Sequence, residues 1–62
     1  MRKVIQEIDK EIRRLEVELE QAREGLDRAD ANDTHGFLQL SQLITKLVAS
    51  IDALERFKRR LE

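Results

Sequence analysis

Apolar residues in the first half of the chain fall at Ile5, Ile8, Ile12, Leu15, Leu19, Ala22, Leu26 and Ala29. Their spacing alternates three and four without a fault, which is a heptad seam, so the pattern predicts one helix over about 2–29. Ile5, Ile12, Leu19 and Leu26 take the a positions, and Ile8, Leu15, Ala22 and Ala29 take d. The stripe is narrow, because Asp9, Glu11, Glu16, Glu18 and Arg23 flank it. Val4 and Val17 lie off the seam, Val17 at the outermost position. Gly25 sits inside the pattern and costs about 1 kcal/mol relative to alanine in a helix. Because the seam continues past it, Gly25 is expected to be helical, either admitting a close backbone or marking fraying near the helix end.

The second half, from Phe37 to Phe57, is the most apolar part of the chain and holds only four charges, Lys46, Asp52, Glu55 and Arg56. It predicts a second helix over about 34–60. Phe37, Ile44, Ile51 and Lys58 fall at a, and Leu40, Leu47, Leu54 and Leu61 at d. Leu43 and Phe57 at g, Val48 at e and Leu38 at b are apolar as well, so this face is wider than one neighbouring helix covers. Residues 30–34 read as the connection. Asn32, Asp33 and Thr34 are each able to cap the second helix, and Asp33 places an anion at its positive end.

A short link between two long helices makes an antiparallel hairpin the default. Folding the chain about Asp33 sets Ile5 opposite Leu61, Ile12 opposite Leu54, Leu19 opposite Leu47 and Leu26 opposite Leu40. The alternate layers are Ile8 with Lys58, Leu15 with Ile51, Ala22 with Ile44, and Ala29 with Phe37. Seven of these eight layers are apolar on both sides. At the eighth, the Lys58 stem is expected to cover Ile8 while its ammonium reaches water. The expected fold is therefore all-α, one coiled-coil-like antiparallel hairpin domain over residues 1–62. A lone hairpin leaves Leu38, Leu43, Val48 and Phe57 partly uncovered, which soluble monomers generally avoid. A two-fold dimer closing a four-helix bundle would bury them.

Length and composition push the same way. Sixty-two residues bury too little surface to be more than marginally stable alone. Scaffolds of this size rely on disulfides, a metal or oligomerisation. With no cysteine and a single histidine, oligomerisation is the option left. The lack of cysteine fits a reducing compartment, and a cytoplasmic location is expected. The longest uncharged run, Gly36 to Thr45, is far short of the roughly 20 residues a membrane span needs, so no membrane partner is expected. No signal peptide is visible, because Glu7 and Asp9 follow soon after Arg2 and Lys3.

Net charge is −1, which gives no bulk attraction to nucleic acid. The hairpin nevertheless brings residues 1–14 and 50–62 together as a basic pole of net +3. Arg56, Lys58, Arg59 and Arg60 are its candidate phosphate contacts. Interleaved acids favour an ordinary solvated helix end, with Arg59 and Arg60 complementing the helix dipole.

His35 stands alone in the connecting segment without a patterned nucleophile, so an exposed or capping role is expected. Glu16, Glu20 and Glu24 read as solubilising charges. Ser41, Gln42, Thr45 and Ser50 either set register at a bundle interface or face solvent. The run from Asp30 departs from a calcium-binding loop, with His35 at its sixth place and Ser41 at its twelfth. No catalytic residue, cofactor or metal ligand is expected.

In overall plan the chain resembles the Rop-type plasmid copy-control proteins, helical hairpins that dimerise and bind RNA, although no sequence matches. That likeness implies that a net-acidic helical dimer can bind RNA through one face. The run Leu38 to Val48, LQLSQLITKLV, is similar to the small aspartyl-phosphate phosphatases of sporulating bacteria, whose second helix carries a Ser-Gln-Glu-Leu-Asp motif after a Gly-Leu turn. Ser41 and Gln42 match; Leu43, Ile44 and Thr45 depart, and Gly25-Leu26 lies farther upstream than in that family. With Thr45 in place of the functional aspartate, the activity does not carry over.

The expected function is thus a non-enzymatic oligomerisation or protein-interaction module, joined through Leu38, Leu43, Val48 and Phe57. The favoured partner is a second copy, with another helical protein next. The alternative is a small dimeric nucleic-acid-binding regulator of Rop-like architecture using the basic pole.

Overall fold

Two long helices pack against each other along their length. The computed structural model describes residues 2–28 and 34–62. Helix α1 spans Arg2–Arg28 and α2 spans Thr34–Leu61. The described part of α1 ends one residue before the expected 29 and α2 ends one residue beyond the expected 60, and no strand occurs among the described residues. Ala29 and the capping candidates Asn32 and Asp33 lie outside the described residues, as does Asp30. His35 lies in the first turn of α2 and not in the connection.

The core is the seam. Ile8, Ile12, Leu15 and Ala22 of α1 and Leu47 of α2 are buried. Leu19, Leu40, Ile44, Ile51 and Leu54 pack around the central group of Leu15, Ala22 and Leu47. Each fully covered aliphatic side chain contributes about 1.5–3 kcal/mol. No backbone hydrogen bond joins α1 to α2 among the described residues. The pairing is made by side chains.

Two contacts place the register within one residue of the folding about Asp33. A Cβ built on Gly25 would lie 3.6 and 3.8 Å from the two terminal methyls of Leu40. The Nζ of Lys58 lies 2.8 Å from a carboxylate oxygen of Asp9.

Three details differ from the sequence-based expectation. The neighbour of Gly25 is a side chain, not a backbone, at ordinary van der Waals distance, and the helix continues to Arg28. Lys58 does more than cover Ile8 and reach water: its ammonium crosses to Asp9 at 2.8 Å, with Glu62 at 3.8 Å. Phe37 holds a seam position yet is 48 % exposed. It belongs to the last layer of the seam, where its expected partner Ala29 lies outside the described residues.

Candidate association surface

The four residues expected at an interface all lie open to solvent. Leu38 is 53 % exposed, Leu43 44 %, Val48 44 % and Phe57 49 %. They do not form one stripe. Leu43 and Val48 are five residues apart, which puts them about 140° apart around a helix of 3.6 residues per turn. Leu43 and Phe57, two heptads apart, share a line. Val48 lines up with Phe37 on the opposite flank of the seam, and Leu38 lies farther round on the outer surface of α2.

The hairpin therefore has two broad sides of different character. On the side of Val48, a groove at the open end is lined by Asp9, Glu16, Glu55 and Glu62 beside Arg13, Lys58 and Arg59. On the other side, a shallow groove runs between Val4 and Ile8 of α1 and Leu54 of α2, edged by Lys3, Glu7 and Glu11. Gly25 and Leu40 meet farther along the same side. In an antiparallel heptad pair the two g columns lie side by side, so Leu43 and Phe57 belong to this second, more apolar side.

The acids of the apolar side are largely answered within α1. Glu11 and Glu18 share its g column, and Arg14 bridges them. Its Nε donates to Glu11 at 3.2 Å. The Arg14 hydrogen bond, followed by its charge, holds the Glu11 carboxyl below its ordinary value despite some desolvation. The same pairing raises Arg14. Glu7 with Glu11, and Lys10 with Arg14, are like-charge neighbours at i,i+4 spacing, which costs a few tenths of a kcal/mol for each exposed pair. The chain relieves it by pairing across the sets, Lys10 with Glu7 at 3.7 Å and Arg14 with Glu11.

The basic pole is partly occupied by its own acids. Arg56 pairs with Asp52 at 3.1 Å, and Lys58 with Asp9. The hydrogen bond that Lys58 donates to Asp9 is the main reason that it holds its proton above the ordinary lysine range. Arg59 and Arg60 are exposed. In the groove beside them acids outnumber bases, which lowers its appeal to a phosphate backbone.

Other candidates resolve locally. His35 is exposed, and its Nε2 lies 3.1 Å from Nε2 of Gln39. The Thr45 hydroxyl donates to the Ser41 carbonyl at 3.0 Å, a bond within α2. Gln42 and Ser50 are exposed, whereas Ser41 is half-buried. No cluster of three metal-ligating side chains occurs among the described residues.

By length and composition α2 is apolar enough to cross a membrane, with an 18-residue window holding at most two charged residues. Counting uninterrupted uncharged runs understated this, because Lys46 alone breaks the run. The core helix of a soluble protein passes the same test.

The chain matches no protein-family model, no curated protein and no solved structure.

Proposed function

We infer that this hairpin is a non-enzymatic association module that pairs with a second copy of itself through the apolar surface of α2. One observation carries the reading: α2 is the more apolar helix, yet among its described residues Leu47 alone is buried, while Leu38, Leu43, Val48 and Phe57 are each at least 44 % exposed. A hairpin with its seam already filled gains nothing more from this surface unless something covers it. Self-association needs no component beyond the chain itself, and closed two-fold pairs are the commonest solution.

The test is solution mass by light scattering over a concentration series, with helicity followed in parallel. A reversible dimer that becomes more helical and more stable with concentration supports the reading. A helical monomer at every concentration overturns it. Partition of that monomer into lipid vesicles would assign α2 to a membrane instead. Salt-sensitive binding of an RNA hairpin, lost on replacing Arg59 and Arg60, would assign the chain to the nucleic-acid alternative.

A further inference from the structure

The g column of α2 consists of Gly36, Leu43, Ser50 and Phe57, so small and large residues alternate along one line of the apolar side. Such a column is its own complement in one sense only. Run against a second copy in the opposite direction, about a point between Lys46 and Leu47, it sets Gly36 opposite the partner's Phe57 and Ser50 opposite the partner's Leu43. Every large side chain then meets a small one. Run in the same direction, Leu43 meets Leu43 and Phe57 meets Phe57, with gaps at Gly36 and Ser50. Interlocking of large and small residues is what close packing requires.

We propose that two copies dock through this column with their α2 helices antiparallel about a two-fold axis near Lys46 and Leu47. The proposal rests on the self-association reading above and specifies its geometry.

Two further observations fit a second copy as the occupant. The crossing point lies close to the middle of Thr34–Leu61, so nearly all of α2 overlaps its partner. The broad side of the hairpin measures 48 Å by 15 Å, the size of the roughly 800 Å² per partner that standard interfaces bury. Size complementarity along the column is what selects the antiparallel direction.

Single and paired substitutions read this out, because Leu43 and Ser50 are exposed in the hairpin and their replacement leaves its core intact. Ser50→Leu puts leucine against leucine in the antiparallel dimer and should weaken dimerisation by at least about tenfold, as overpacking does. Adding Leu43→Ser restores one large and one small residue at each crossing and should bring the constant back to near the original. Sedimentation of each variant, with helicity as the check on folding, gives the constants.

As a second measurement, Leu43→Cys mixed with Ser50→Cys under mild oxidation should cross-link as the mixed pair in preference to either variant with itself. A dimer that Ser50→Leu tightens is parallel, and one that ignores Ser50→Leu uses another surface. Either result overturns the geometry and leaves self-association standing. A monomer at all concentrations overturns both.

Discussion

Helices α1 and α2 differ by one residue in length, 27 against 28, and much more in how far they are covered. Four side chains of α1 are buried, against one of α2, among the described residues. The difference is one of angular width. The narrow stripe on α1 is consumed by a single neighbour. The broader face on α2 meets that same neighbour and has apolar surface left on both flanks. A seam of matched spacing specifies the fold, and apolar residues beyond its edges report on what the fold meets next. The two needs are separable here because they fall on different positions of the heptad.

The largest effect should come from the seam. Leu47→Ala removes the one buried side chain of α2 and should cost about 2–5 kcal/mol, enough to unfold a hairpin of this size, as thermal unfolding followed by circular dichroism would show. Leu43→Glu should act next. It leaves the seam alone but places a charge at each symmetric crossing of the proposed dimer, a penalty on the order of 2 kcal/mol read as a fall in solution mass. Val48→Glu sharpens the comparison: it lies on the charged side and should leave the mass unchanged. If it dissociates the dimer as well as Leu43→Glu does, the two sides are not distinct in function.

Gly25→Ala should stabilise the chain by about 1 kcal/mol, because helix propensity improves and the new methyl meets Leu40 at ordinary contact distance. A lower melting temperature would mean that the two helices approach more closely than these distances allow.

The smallest effect concerns Lys58. Its pKa is raised in the folded chain, so its pairing stabilises fully at neutral pH, below the unfolded value, and the gain is lost as pH rises through the folded value. Lys58→Met should flatten the alkaline end of the stability profile and leave the acid end as it was. The Glu11–Arg14 pairing behaves in the opposite sense. Its contribution is present above the ordinary glutamate range and fades as acid protonates Glu11.

Both seams were legible because their spacing is a heptad repeat, the short link gave the antiparallel direction, and matching apolar residues layer by layer gave the register; the layers of Leu19 with Leu47 and Ala22 with Ile44 fall in the central cluster. What sequence reading missed was angle and cross-chain reach. Leu38, Leu43, Val48 and Phe57 were grouped by their apolar character, although the helical period already separates Leu43 from Val48. The path of Lys58 to Asp9 depended on which flank each residue faces after folding, a property of the pair and not of either helix. Arg14 illustrates the same point within one helix. Its bridge to both Glu11 and Glu18 depends on the rotamer that the long side chain adopts.

Because only side chains hold α1 to α2 among the described residues, the same layers form equally well between α1 of one molecule and α2 of another. Exchange of helices sacrifices no backbone bond across the seam. What favours the closed hairpin is the tether of residues 29–33, which keeps the two halves at an effective concentration on the order of millimolar. At ordinary concentrations each chain closes on itself. In a dense sample, swapped pairs compete with the closed form, and a dimer found only there would be a different object from one built on the outer surface of α2.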